Sequence, residues 1–218
     1  MQSTMIPLSQ LKQSYPDYCS SNIFVYDDVF PAWQVADHAR QLQLIQWEYG
    51  HMTDATKLGE YDRFFGRQLF HLAQNHSENM PPVVTNIAAA IEGALCHNID
   101  KDGEFRGIYR VSLNGQTKGM RPGPHVDTVE KNYHWTAVYF ANEADGDLQF
   151  YDNIKDLNPT DCVDFKLGRI VIFPSGYAHE ALAPTTPWRV SIGIMFEHKT
   201  DRQYKILKEE DLQDAESD

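Results

Sequence analysis

The stretch Gly107-Ile-Tyr-Arg-Val-Ser-Leu113, with Pro124-His-Val-Asp-Thr128 and Trp135-Thr-Ala-Val-Tyr-Phe-Ala141 behind it, decides the fold class. Each run is short, holds β-branched and aromatic residues and is bounded by turn formers, the pattern of strands separated by turns. Toward the C-terminus, residues 147–151, 169–173 and 188–196 share this texture. Toward the N-terminus, residues 22–28 read as one more strand, and Pro31 opens a helix running to Leu44. Trp33, Val35, Ala36, Ala39 and Leu42 lie near helical spacing in it. A second helix begins after Pro81-Pro82, with Val83, Ile87, Ala90, Ile91 and Leu95 on one face. Between the helices, residues 47–79 are polar, aromatic and punctuated by Gly50, Gly59 and Gly66, which predicts loops and irregular strands. A helical preface to many short strands predicts a mainly β fold with flanking helices, an antiparallel barrel or jelly roll.

No repeat, low-complexity block or linker divides the 218 residues, so the whole of 1–218 reads as a single domain. Its parts are a helical or mixed segment to about residue 103, a β core over about 104–198, and an acidic tail over about 205–218. Hydrophobic residues at 42% and charged residues at 23% describe an ordinary globular protein. Cys19, Cys96 and Cys162 are scattered and odd in number, which fits free thiols in a reducing compartment. The first residues have no apolar leader and no long uncharged apolar run follows, so the expectation is a cytoplasmic protein off the membrane. The net charge of −12 argues against a surface that tracks nucleic-acid phosphates. Half of it, however, comes from residues 209–218, with six acids and no base, so this exclusion is weak for the folded body.

Within the β region, His125-Val-Asp127 is followed much later by His179 and then Arg189. Two histidines and a carboxylate form the facial triad that holds a non-haem Fe(II) and leaves positions open. With 9 His and 19 Asp in the chain, about one such His-x-Asp pair is expected by chance, so setting must decide. Side chains at i and i+2 share a strand face, so His125 and Asp127 point the same way. His179 follows a turn leading off an apolar strand, Phe173-Pro-Ser-Gly-Tyr-Ala. The same parity puts Arg189, Ser191 and Gly193 on one face of the last strand. A guanidinium beside a hydroxyl is a dock for a carboxylate, and Gly193 leaves room there. Metal plus Arg-x-Ser implies an anionic cosubstrate held at both ends, for which a dicarboxylic 2-oxo acid fits.

Plainer readings of the same residues exist. His125 and Asp127 alone read as a satisfied surface pair, and Arg189 alone as a salt-bridged strand residue. The rival His76-Ser-Glu78 lies in a polar stretch and reads as loop. His97, His134 and His198 have no carboxylate at i+2 and read as structural or exposed. It is the conjunction of triad, order, strands and Arg that points to a metal site.

The segment from about Tyr109 to Phe196 resembles the catalytic core of the Fe(II)- and 2-oxoglutarate-dependent oxygenases, particularly the prolyl 4-hydroxylase-like branch. Val111-Ser-Leu-Asn-Gly-Gln resembles the strand and turn before the iron motif, and His125-Val-Asp127 the motif itself. Residues 136–142 resemble the apolar strand that usually ends in Leu-Asn, and Asp145-Gly-Asp-Leu resembles the Gly-Gly-x-Leu segment. Lys166-Leu-Gly-Arg-Ile-Val-Ile-Phe-Pro, His179-Glu and Pro187-Trp-Arg189 resemble the strands with the distal ligand and basic anchor.

The resemblance implies a double-stranded β-helix, cupin-like in architecture, in which His125, Asp127 and His179 hold Fe(II). It further implies 2-oxoglutarate as cosubstrate on Arg189 and Ser191, O2 as oxidant, and hydroxylation with release of succinate and CO2. Three positions depart from the family pattern. Asp145-Gly146 replaces Gly-Gly, the anchor is Arg where collagen-type enzymes have Lys, and the cosubstrate tyrosine is replaced by Leu113 or Phe140. Tyr109 shares strand parity with Leu113 and is the candidate substitute, ahead of Asn114 and Tyr139. The substrate, a small molecule or a peptidyl side chain, would meet walls from residues 47–70 and 118–123, with Tyr61, Arg63, Phe64, Phe65, Arg67 and Arg121 as candidates. Competing readings are a cupin-like metalloenzyme without a 2-oxo acid and a non-catalytic binding module on the same fold.

Overall fold

A computed structural model describes residues 22–53, 61–98, 105–128, 134–155 and 157–198. The expected acidic tail and Cys19 lie outside the described residues, as does the Cys96 side chain; Cys162 is an exposed free thiol. Strand β1 (Phe24–Tyr26) leads to helix α1 (Ala32–Leu42), then β2 (Glu48–His51), β3 (Phe64–His71), β4 (His76–Ser77) and helix α2 (Pro82–Asn98). β5 (Phe105–Thr117), β6 (His134–Phe140), β7 (Leu148–Tyr151) and β8 (Pro159–Val163) follow. β9 (Ile170–Pro174), β10 (Ala178–Ala181) and β11 (Trp188–His198) complete the described elements.

All ladders are antiparallel. The large sheet runs β1-β9-β6-β11-β5-β3-β2 with β4 on β3, and the small one runs β10-β7-β8. Together they form a jelly roll. Strand alternation gives the large sheet two different faces. Val111, Leu113, Ala137, Tyr139, Ile170, Ile172, Ile192 and Ile194 join the core that α2 covers, and Val138, Phe140, Val171 and Phe173 meet Leu148 and Phe150 of the small sheet. Helix α2 buries Val83, Val84, Ile87, Ile91 and Leu95 almost completely, each contributing about 1.5–3 kcal/mol. No helix among the described residues is long and apolar enough to cross a membrane.

Four local expectations are corrected. Helix α1 forms, but it buries His38 and Leu42 while Trp33 stays 62% exposed. His38 sets the buried face, because its Nδ1 lies 3.1 Å from the Tyr139 hydroxyl and its ring packs edge-on against Phe30. Residues 64–71 form strand β3, whose bulge between Gln68 and Phe70 fits the irregular strands expected there, but His76-Ser77, expected as loop, pairs with it as β4. The rival Glu78 is used up by Arg67, whose Nε donates to it at 2.7 Å, and His76 Nε2 lies 2.7 Å from the Gln68 carbonyl. Asn114-Gly115, resembling a turn, lies inside β5, paired with Ser191 and Val190 of β11. Gly115 is there for space: a Cβ would sit 2.4 Å from the Trp188 ring, which packs edge-on against Trp47 at 5.3 Å. β8 and β10 were not anticipated; their Asp, Glu, Ala and Pro residues carry little β signal.

Gly115→Ala should lower the unfolding free energy by about 1–3 kcal/mol in urea titrations; unchanged stability would mean that Trp188 swings aside at no cost. Burial holds the His38 imidazole below its ordinary pKa, with Asp37 opposing weakly. The stability from neutral His38 is therefore present above the unfolded value of about 6.5 and is lost as pH falls through it. Unfolding titrations at about pH 7 and 5 should show the wild type losing more stability than His38→Gln; equal losses would reject the assignment.

Candidate metal and anion site

His125 and His179 come from different chain segments, and backbone pairing brings them together. His125 N donates to the His179 carbonyl at 3.0 Å and His179 N to the His125 carbonyl at 2.9 Å, so the His-x-Asp segment adds a single bridge to the edge of β10. Asp127 N donates to the Ser175 carbonyl at 3.0 Å, which fixes the next turn of the segment. The three ligand-type atoms, one each from His125, Asp127 and His179, lie within 4.8 Å of one another. His179 Nε2 is 3.8 Å from Asp127 Oδ2.

Each group is oriented from behind. His125 Nδ1 lies 3.3 Å from the Gly123 carbonyl and His179 Nδ1 lies 2.9 Å from the Tyr177 carbonyl. An Nδ1–H donated to a carbonyl leaves Nε2 as the lone-pair donor, the tautomer a metal needs. Thr136 donates to Asp127 Oδ2 at 2.7 Å, and Arg110 Nη2 donates to Oδ1. Burial alone would raise the Asp127 carboxyl, but Arg110 and the two histidines hold it well below the usual range. Burial, with help from His179, pushes His125 down to about 4. At neutral pH the set presents an ionised carboxylate and a neutral His125, as Fe(II) or a similar divalent metal requires.

The cavity in front of these groups, about 260 Å³, also holds Arg189, Ser191 and Gly193, together with Arg110, Ser112, Asn114 and Gln116 of β5. Arg189 has no exposed surface. Its Nε donates to the Gly146 carbonyl at 3.0 Å and its Nη1 to Gln116 Oε1 at 2.5 Å, while Nη2 is buried without a partner. Its guanidinium carbon lies 4.7 Å from the Phe165 ring centre. No described carboxylate comes within ion-pair distance, and burial pushes its pKa down to about 9, with Asp147 and Asp145 only partly opposing, so it remains charged at neutral pH. A buried charged donor left unsatisfied costs several kcal/mol unless a ligand completes it. The donor set at one end and the orphaned guanidinium at the other both fit a metal-chelating carboxylate ligand.

No family model matches the sequence, and no curated protein matches it. Solved structures do match. An oxidoreductase of the 2OG-Fe(II) oxygenase family from Burkholderia pseudomallei gives a TM-score of 0.65 at 16% identity, over 81% of this chain and 85% of that one. A Trichoplax adhaerens prolyl hydroxylase in complex with a hypoxia inducible factor peptide fragment gives 0.61 at 13% identity, over 85% and 87%. HygX from Streptomyces hygroscopicus, with nickel and 2-oxoglutarate bound, gives 0.58 at 11% identity, over 81% and 83%. The fold is that of the 2OG-Fe(II) oxygenases.

On this oxygenase fold, five of the six residues singled out from sequence, His125, Asp127, His179, Arg189 and Ser191, line one cavity. Tyr109, the sixth, is a correction. It is the extra residue of a β-bulge, where Arg110 and Ile108 pair with consecutive residues of β11, and its ring lies 5.3 Å from His71 and 4.6 Å from His134. It is absent from the lining, as are Tyr139, Tyr61, Arg63, Phe65 and Arg121 among the earlier candidates. Arg121 instead clamps Glu180 through Nε at 2.5 Å and Nη2 at 2.9 Å, and Tyr151 adds a third bond at 2.8 Å. Arg110, Thr136 and Gln116 were missed. Reading the even positions of the strand expected up to Leu113 would have found Arg110, and extending it past Leu113 would have added Gln116; for Thr136 no signal beyond strand parity exists.

Gly146 has φ +90°, and a Cβ there would meet the Leu182 carbonyl at 2.6 Å and Arg189 Cδ at 3.3 Å. Gly146→Ala should therefore displace the Arg189 side chain and weaken the binding of a titrated dicarboxylate about tenfold or more by calorimetry; wild-type affinity would show that Gly146 does not set the anchor.

Proposed function

We propose that the protein is a 2-oxoglutarate-dependent Fe(II) dioxygenase that hydroxylates a small molecule or a peptidyl side chain. The observation that carries this reading is the orphaned, buried Arg189 guanidinium opening onto the same cavity as His125, Asp127 and His179. A metalloprotein of cupin type without a 2-oxo acid has no need of such a cation, and a binding module has no need of both ends. The neighbours on the same fold support the pairing: one of them carries nickel and 2-oxoglutarate, another a peptide.

When bound, Fe(II) with 2-oxoglutarate and O2 supplies the oxidation, yielding succinate, CO2 and a hydroxylated product. The chain's own residues do the positioning. His125, Asp127 and His179 would hold the metal on one side and leave the cavity side open. Arg189 would take the distal carboxylate of 2-oxoglutarate through its unengaged Nη2, with the Ser191 hydroxyl on the same strand face. Gln116 holds the guanidinium in place before the ligand arrives: its Oε1 accepts from Arg189 while its Nε2 donates to the Met120 carbonyl at 3.1 Å. Gly193 keeps the face between anchor and metal clear, since a Cβ there would lie 3.5 Å from Asn114 Nδ2. Val138, Leu148 and Met195 supply apolar wall that limits water.

Fe(II) and 2-oxoglutarate added anaerobically to the protein should give a metal-to-ligand absorption band, and admitting air with substrate should release succinate. Asp127→Ala and His179→Ala should lose both. Arg189→Ala should mainly raise the 2-oxoglutarate KM, by roughly 10- to 100-fold for a charge-assisted pair. Wild-type turnover in Asp127→Ala would reject the reading.

A further inference from the structure

Among the described residues the cavity is lined by three guanidiniums, Arg67, Arg110 and Arg189, and by one carboxylate, Asp127. Arg67 is covered by Glu78 at 2.7 Å. Arg110 is covered only by Asp127, through Nη2; its Nε and Nη1 have no hydrogen-bond partner among the described residues, and its side chain is 27% exposed. Asp127 cannot serve Arg110 fully and ligate a metal as well. On the reading that the site takes a divalent metal and a dianionic 2-oxo acid, those two charges cancel. Glu78 and Asp127 offset two of the three guanidiniums. One positive charge remains, and it lies beside the metal ligands.

The cosubstrate cannot be what neutralises both ends. Arg189 pairs with Gln116 and Met195 with Arg110, so the two guanidiniums leave the sheet six β5 residues apart, roughly 20 Å at about 3.3 Å per residue. A five-carbon diacid anchored on Arg189 would use its other carboxylate on the metal and so has none left for Arg110. The cavity, at about 260 Å³, is also below the roughly 300–1,000 Å³ usual for ligand sites, which favours a small second ligand. A neutral residue inside a peptide would bring only amides to this position and leave the charge uncompensated.

We propose that the substrate is a small molecule bearing an oxyanion, a carboxylate or a phosphate, and that Arg110 is the residue that receives it. This rests on the function proposed above and goes further, since it selects a free acid over a peptidyl side chain. Arg110 then has two roles along one edge of its guanidinium plane: Nη2 steadies Asp127, and the unengaged donors face the incoming anion.

The test uses the full chain, anaerobic, with Fe(II) and 2-oxoglutarate. Free L-amino acids, their primary amides and glycerol 3-phosphate are titrated in, and binding is read from the absorption band and from the shift in unfolding temperature. At least one acid should bind about tenfold or more tightly than its own amide, as expected for a charge-assisted contact. Arg110→Gln should bring that pair within about threefold, both affinities being measured on the variant's own Fe(II)- and 2-oxoglutarate-loaded form, and Arg110→Lys should keep part of the preference. Arg110-dependent binding of glycerol 3-phosphate instead would assign the oxyanion as phosphate. Manganese(II) binding, followed by electron paramagnetic resonance, checks that each variant still holds metal; where Arg110→Gln does not, Arg110→Lys and the wild-type comparison decide. Equal affinity for acids and amides, an acid preference that survives in Arg110→Gln, or no binding of any acid or phosphate at millimolar concentration would overturn the proposal. Loss of the absorption band in the wild type with 2-oxoglutarate alone would instead remove the function on which it rests.

Discussion

Arg189 is a full positive charge with no exposed surface and no carboxylate partner, and much of one end of the molecule is arranged to hold it. The Gly146 carbonyl and Gln116 each take one donor, and the Phe165 ring covers the guanidinium face. Those partners are fixed in turn. Asp145 accepts from the backbone of Thr185 at 2.8 Å and of Thr186 at 3.0 Å, closing the turn before Gly146 onto the loop that enters β11. Asn142 accepts from Val190 N at 2.7 Å and donates to the Trp188 carbonyl at 2.9 Å, so both neighbours of Arg189 are tied down by one amide. Left alone, the charge would favour unfolding. Its persistence in a cavity wall is understandable if a bound anion completes it.

The other end depends on joining two distant segments. His125 and His179 are 54 residues apart, and the two backbone hydrogen bonds between them set the spacing of the metal ligands directly. A second clamp lies outside the ligand set. Glu180 points away from its neighbour His179 and is gripped by Arg121, which stands in the segment leading to His125. The carboxylate is fully buried while the guanidinium is half exposed, so the pair is only partly screened by solvent and is better placed to position than an ordinary surface pair. Backbone on one side and an ion pair on the other make the ligand pair a rigid unit, as a metal site needs.

Much of this was readable in the chain. Strand alternation placed Arg189, Ser191 and Gly193 on one face, and the structure has them there because β11 runs unbroken between β5 and β6 through that stretch. Helix α2 was legible in most of its buried residues, Val83, Ile87, Ala90, Ile91 and Leu95, though Val84 and Ala88 widen the buried face beyond the one read from spacing. What failed were features decided by tertiary contacts. Asn114-Gly115 carries a hairpin signal, yet Trp188 and Trp47 fill the space over Gly115 and make it a strand position. Parity with Leu113 favours Tyr109 ahead of Asn114 on the even face, and the bulge at Tyr109 is what removes it from the cavity side. The exposed Trp33 shows the same limit on a helix, where a buried polar contact to His38 outweighed hydrophobic periodicity.

Composition misleads about the cavity for a related reason. A chain of net charge −12 encloses a pocket lined, among the described residues, by three guanidiniums and one carboxylate. Net charge sums over exposed groups that water and salt screen, whereas a pocket acts through a few partly desolvated charges at fixed spacing. That spacing is set by β5, which carries Arg110 at one end of the cavity and Gln116, the partner of Arg189, at the other. A diacid entering at the Arg189 end would spend its second carboxylate on the metal and leave none for Arg110. The second anionic group proposed for Arg110 follows from that division.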